Sequence, residues 1–275
     1  MVLTSTQPFE ANDEEMRLFQ QLFKQHIGMH LPASKKALLC SRLSKRLVAL
    51  ELDSFRDYYE MIAAPSAEAE RQRAIDLITT NETYFFREPR HFDFLKQHVL
   101  PVASPQETLK IWSAASSTGE EAYSIAMLLD HERSNAPWEI FASDISQRVL
   151  SFARRGVYPM TRGEHIPPAY LKRYCLRGSG EYTGQFMVER TLRSRVQFAQ
   201  RNLTDLPERV GQFDVIFLRN VIIYFDMQTK TEVLTNVCRQ LKPGGWLFVG
   251  HSESLHGMAL KLQMHSPSIY QRPHP

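Results

Sequence analysis

Cysteine is close to absent. The 275 residues hold three, Cys40, Cys175 and Cys238, scattered and without a CxxC pair. Such a set supplies neither a disulfide framework nor a zinc site and fits a reducing compartment; no metal is expected. No apolar run reaches the ~20 residues a membrane helix needs. The opening "MVLTSTQPFEANDEE" has no basic start leading into an apolar core. Neither membrane insertion nor a secretory leader is therefore expected, and the chain reads as cytoplasmic. Excess charge is small as well. The 33 Lys+Arg against 30 Asp+Glu give +3, too little to argue for a nucleic-acid partner. Glycine is missing where one common function needs it. The stretch "IWSAASSTGEEAYSIAMLL", Ile111 to Leu129, reads as strand, small-residue loop and helix, yet carries only Gly119. A dinucleotide fingerprint has three glycines there.

What is present falls into two parts after a flexible start at residues 1–12. Residues 13–78 read as a small all-α domain. Phe19, Phe23 and Ile27, then Leu39, Leu43, Leu47 and Leu50, then Phe55, Tyr58, Tyr59 and Ile62 recur at helical spacing. A linker at 79–90, "TTNETYFFREP" and its neighbours, leads into residues 91–275. These alternate strand and helix patterns and predict parallel βαβ units in a Rossmann-like α/β domain. Strands are expected at "LKIWSAA", "WEIFASDIS", "RVQFAQRNL", "GQFDVIFLRNVIIYF" and "KPGGWLFVGHSES", with a short last one at "SIYQRP". "LKPGGWLF" reads as a helix closed by Pro-Gly-Gly before a strand. Between about 163 and 195 the rhythm breaks, and Gly178, Gly180 and Gly184 beside "QFMVE" suggest a small antiparallel β insertion.

Two acids, Glu120 and Glu121, follow Gly119 at the helix start. They would repel the pyrophosphate that this position otherwise attracts. S-Adenosylmethionine (SAM) has no phosphate and carries an ammonium and a sulfonium, so it reverses the logic. Glutamates in a first turn also simply complement the helix dipole, and Glu120 is expected to do no more than that. Asp144, ending "IFASD", can take ribose hydroxyls, or cap the following helix.

Five ordered blocks, "TTNETYFFREP", "IWSAASSTGEEAYSIAM", "FASDIS", "FDVIFLRNVIIYFD" and "LKPGGWLFVGHSES", together resemble the CheR-type chemotaxis-receptor glutamate methyltransferases from about Asp13 to Tyr270. The resemblance implies SAM as cofactor, with S-adenosylhomocysteine as product. It implies cofactor contacts from Asn81, Thr83, Arg87, Glu121, Asp144, Asn202, Leu203, Arg219 and Asn220, and catalytic roles for Arg87 and Tyr224. Ser116 and Ala122 depart from the family pattern, but both are small. The chemistry implied is methyl transfer to a glutamate carboxylate, which is ionised at neutral pH and needs no general base.

Receptor recognition is implied for the all-α domain. Lys35, Arg42 and Arg46 cluster on one helical face with Lys45 further round, a surface suited to an acidic receptor helix. The alternative is a solvated helix face. The resemblance also implies, for some members, a receptor C-terminal peptide held at the β insertion near Gly178, Gly180 and Gly184. Partners are thus the cytoplasmic helical region of chemoreceptors and that peptide, and a monomer is the simplest expectation. The rival readings are a nicotinamide dehydrogenase, a nucleic-acid methyltransferase and a receptor-binding module without turnover. The first lacks its glycines, the second its Pro-Pro-Tyr segment, and the third predicts lost cofactor residues that are present here.

Overall fold

Helix formation at the start of the chain is written in its caps. Asn12 accepts from the Glu15 amide (2.9 Å) while the Glu15 carboxylate accepts from the Asn12 amide (2.7 Å), a reciprocal box that satisfies two otherwise orphaned donors. A computed structural model describes residues 9–274; most of the expected flexible N-terminus lies outside the described residues. Helix α1 (Asp13–Ile27) ends at Gly28 in the left-handed conformation. It is followed by α2 (Lys36–Ala49), α3 (Phe55–Ala63, capped by Ser54) and α4 (Glu68–Ile78). Phe19, Phe23, Leu39, Leu43, Leu47, Phe55, Tyr58 and Ile62 are fully buried between these helices, as their spacing predicts.

This first unit runs to Thr80 and also includes Tyr224–Asp226. The returning segment is held by an amide of His30 donating to the Tyr224 carbonyl (2.8 Å), by an antiparallel bridge between Met29 and Phe225, and by Lys24 on Asp226. Polar ties complete the unit. Arg46 makes a two-pronged pair with Glu70 (2.7 and 2.9 Å), which also accepts from the Tyr58 hydroxyl (3.0 Å). Arg42 donates to the carbonyls of Ile78 (2.6 Å) and Thr79 (3.0 Å), closing the end of α4.

The second unit comprises Asn81–Ile223 and the chain from Met227 onward. After α5 (Pro89–Phe94) come β1 (Leu109–Ser113), α6 (Glu120–Glu132), β2 (Trp138–Asp144) and α7 (Gln147–Arg155). An insertion follows with β3 (Val157–Pro159), α8 (Pro168–Tyr174), β4 (Cys175–Arg177), β5 (Gln185–Val188) and α9 (Arg190–Arg193). The main fold resumes with β6 (Val196–Gln200), β7 (Phe213–Leu218), α10 (Met227–Arg239), β8 (Leu241–Val249), β9 (Gln263–Ser266) and β10 (Ile269–Gln271).

The main sheet has the order β6-β2-β1-β7-β8-β10-β9. Its first five strands are parallel, and β10 runs antiparallel to β8 and β9. The order reverses between β1 and β7, which makes the crevice beyond their carboxyl ends the expected ligand position. The insertion is an antiparallel sheet, β3-β5-β4. Among the described residues no helix is long and apolar enough to cross a membrane.

Three expectations need correction. The fourth main strand stops at Leu218 rather than running to the aromatic "YF". The insertion's sheet opens at Val157, earlier than residue 163. Pro243–Gly244–Gly245 does not close a helix: α10 already ends at Arg239, and this turn lies inside β8, with Gly244 at φ +76°. Strand β9 was not anticipated. Its residues, "QMHS", are short, polar and mostly exposed, so no alternation marks them.

Candidate functional site

Beyond β1 the chain turns through Ala114–Gly119 into α6. Gly119 sits at φ +96°, and a Cβ there would lie 2.9 Å from the Ala153 Cβ and 3.0 Å from the Tyr158 hydroxyl. Close packing therefore demands the single glycine. Ser117, also left-handed, donates its amide to one Asp144 oxygen (2.9 Å), and the Ser146 amide donates to the other (3.0 Å). Asp144 is thus fixed at the end of β2. The Ser117 hydroxyl donates to the Asn81 carbonyl (2.9 Å), bringing the "NETYFFR" segment to the same loop. The buried Ser116 hydroxyl has no hydrogen-bond partner among the described residues, an orphan a ligand could satisfy.

Glu120, expected merely to decorate the helix start, is fully buried. It accepts from the Thr118 hydroxyl (2.6 Å) and forms an ion pair with Arg162 of the insertion. Burial pushes its carboxyl pKa up, against the pull of Thr118 and Arg162. Tyr158, also from the insertion, donates to the Thr118 carbonyl (2.7 Å). The insertion therefore holds the loop corner directly.

Glu121 turns inward. One oxygen accepts from the Ser113 hydroxyl (2.7 Å) and the other lies 3.1 Å from the Arg219 guanidinium. Arg219 follows β7, its side chain 2% exposed, and lies 3.1 Å from Glu88 as well. It also donates to the Arg87 carbonyl (2.5 Å). Burial pushes Glu121 above the usual carboxylate range, with Arg219 and Ser113 opposing. At Glu88 burial also raises the pKa, but Arg219 and the donors from His251 and Asn220 outweigh it, so the net shift is down. Asn220, left-handed at φ +57°, donates to Glu88 (3.3 Å). Two acids sharing one buried guanidinium form a network in which each group fixes the next.

The remaining candidates are more dispersed. The Arg87 side chain donates to the Glu82 carbonyl (3.0 Å), with its guanidinium 5.7 Å from the centre of the Tyr84 ring. Thr83 is half-buried. Asn202 accepts from the Thr204 amide (3.1 Å) and hydroxyl (2.8 Å) just after β6, and Leu203 is buried. Tyr224 belongs to the helical unit. Of the four basic residues on that unit, Lys35 and Lys45 are exposed, whereas Arg42 and Arg46 are engaged within the fold as described above. Gly178 and Gly184 flank the turn between β4 and β5, and the Gly178 amide donates to the Gln185 carbonyl (2.9 Å). The free edges of that sheet are β3 and β4.

Glu88, His91 and His251 bring potential ligand atoms within 4.8 Å of one another. The Arg219 guanidinium, 3.1 Å from the same Glu88 oxygen, already supplies the cation there. Three residues of this region escaped sequence reasoning: Glu88, Arg162 and Glu253. Glu88 and Glu253 stand inside recognised blocks, yet only the fold reveals what they touch.

A parallel sheet reversing beside a one-glycine loop, with acids where a phosphate would sit and another at the end of β2, suits a cationic, phosphate-free nucleoside ligand. With the family matches that follow, these features place the chain among the Rossmann-like SAM-dependent methyltransferases. Residues 81–270 match the SAM binding domain, and residues 14–79 the all-alpha domain, of the CheR methyltransferases, and the chain belongs to that family. It is 39% identical over 273 residues to a chemotaxis protein methyltransferase of Salmonella typhimurium, spanning 98% of this chain and 94% of that protein. Its Escherichia coli counterpart is 38% identical over the same length and shares. Chemotaxis protein methyltransferase 2 of Pseudomonas aeruginosa is 41% identical over 251 residues, covering 90% of this chain and 89% of that protein.

Proposed function

We propose that the enzyme methylates glutamate side chains of chemoreceptors during sensory adaptation, acting in the cytoplasm as a monomer on the receptors' helical region. The observation that carries this reading is the acid-lined corner, Glu121 with Arg219 and Asp144, in a chain of CheR type. SAM supplies an electrophilic methyl group: its S–CH3 bond breaks, an O–CH3 ester bond forms on the glutamate, and S-adenosylhomocysteine leaves. No proton moves. A glutamate carboxylate is already ionised at neutral pH, so the transfer requires no general base.

The protein's task is then binding, orientation and exclusion of water. Glu121 would take the ammonium and Asp144 the ribose hydroxyls, with Asn81, Thr83, Asn202, Leu203, Arg219 and Asn220 completing the cofactor contacts. Arg87, held by one carbonyl and one ring face, keeps donors for the incoming carboxylate. Tyr224 is assigned a hydrogen bond to the reacting group from the family pattern. Receptor docking is assigned to Lys35 and Lys45, with Arg42 and Arg46 shaping the helices that carry them. The β4 edge, with Leu176 exposed, is assigned to a receptor C-terminal peptide; the turn glycines Gly178, Gly180 and Gly184 shape that edge.

The test is transfer of radiolabelled methyl from SAM to receptors with and without their last residues. Alkali-labile label on the receptor is expected, because methyl esters hydrolyse in base. Label that survives alkali, or none at all, overturns the reading.

A further inference from the structure

Glu253 is a buried carboxylate, 4% exposed, and it accepts five hydrogen bonds from backbone amides. Asn220 (2.7 Å) and Gly250 (2.7 Å) donate to one oxygen. Val221 (2.9 Å), Ile222 (2.8 Å) and Ile223 (3.3 Å) donate to the other. Four of the five donors are consecutive residues of the segment that leaves β7. The fifth is the first residue after β8, so one side chain binds the carboxyl ends of two neighbouring parallel strands.

That segment is the one that carries Arg219 and Asn220. It has no helix or sheet ladder to set its direction at Asn220–Val221, and Asn220 is left-handed. Without an internal acceptor, the successive amides of Asn220, Val221 and Ile222, all in buried or half-buried residues, would lack partners, which folded chains avoid. Space at this point is matched to the arrangement. A Cβ on Gly250 would come 2.5 Å from the Asn220 carboxamide nitrogen and 2.9 Å from a Glu253 oxygen. The glycine is therefore required for Glu253 and Asn220 to share the corner.

We propose that Glu253 is a positioning residue of methyl transfer: it fixes Asn220–Ile223, and through them where Asn220 and the Arg219 guanidinium present themselves to the cofactor. The inference rests on the cofactor roles given above to Arg219 and Asn220. A glutamine can accept at only one oxygen and would turn its NH2 against amide donors, so Glu253→Gln should release part of the segment while conserving shape.

The experiment measures S-adenosylhomocysteine affinity by calorimetry on the full chain, together with kcat and both KM values for SAM and receptor. E253Q is expected to bind the product at least tenfold more weakly and to raise the SAM KM correspondingly, with receptor KM within twofold of wild type. Gly250→Ala keeps the carboxylate but crowds the same corner, and is expected to give the same selective loss; it carries the test if E253Q does not fold. A double-mutant cycle with Asn220→Ala is expected to be strongly non-additive, because both changes act through one segment. Product affinity within twofold of wild type in a folded E253Q, or in G250A, overturns the proposal, as does simple additivity with N220A. Since product binding is read directly, these outcomes stand even if the wild-type enzyme proves to methylate something other than receptors.

Discussion

Glu121 and Glu120 are adjacent in sequence, yet their environments separate their roles. Glu121 faces Ser113 and Arg219, and its carboxyl is held above the usual range by burial. A raised pKa means protonation begins at a higher pH than in a free glutamate. The affinity for a cationic ligand should therefore fall as the pH drops toward that range. Glu121→Gln should weaken SAM binding roughly 10- to 100-fold, the loss of one charge-assisted contact, and should flatten this pH dependence; calorimetry between pH 5 and 8 checks both. For stability the sign is opposite. The neutral form is the one the fold prefers, so this contribution is full at low pH and is lost as the pH rises through the raised value. His91 works the other way again. Burial, with Arg219 adding to it and Glu88 opposing, lowers its pKa from 6.5 to about 3. Below pH 6.5 the unfolded chain takes up a proton that the folded chain refuses, so stability should decline by up to ~1.4 kcal/mol per pH unit. His91→Gln should remove that part of the acid sensitivity in denaturant titrations at pH 7 and 5.

At the scale of elements, the β insertion does more than its sequence suggests. Arg162 and Tyr158 reach the corner before α6, where Glu120 is fully buried. Removing the guanidinium strands a buried carboxylate. Arg162→Met should thus destabilise the protein by about 3 kcal/mol, at the low end for such pairs because Arg162 itself is partly exposed. Adding Glu120→Gln should recover most of the loss, and urea melts of both variants measure it. None of this was legible beforehand: the two residues stand 42 positions apart, and charge alone does not say which arginine finds which acid. Helical spacing, by contrast, announced the core of the first unit, and alternating strand and helix patterns announced the main sheet. The course of the opening loop was legible too, since strand, single glycine and helix start follow the small-residue pattern, but the partners of its two acids were not. Elements whose residues carry no periodicity, such as β9 and the turn inside β8, stayed hidden. So did Glu253, whose five partners are backbone amides and leave no mark in the sequence.

For the whole molecule, a net charge of +3 is too small to steer an acidic partner from a distance, so any attraction must come from where the charges stand. On the helical wheel Lys35, Arg42 and Arg46 share one face, with Lys45 further round, and all four look equally available. In the fold they are not. Arg42 spends its guanidinium on the carbonyls ending α4, and Arg46 pairs with Glu70 beneath the Tyr58 hydroxyl. Reversing either arginine should lower the melting temperature and so confound any binding result. Lys35 and Lys45 have no such duty among the described residues and are exposed. Lys35→Glu with Lys45→Glu should therefore leave the melting temperature within a few degrees and SAM affinity unchanged. The receptor KM should rise several-fold at low salt, and the difference from wild type should shrink as salt screens the contact. Steady-state kinetics at 50 and 300 mM salt separate the cases. A KM that does not move at either salt would shift receptor docking away from this helix face, while leaving the cofactor site as described.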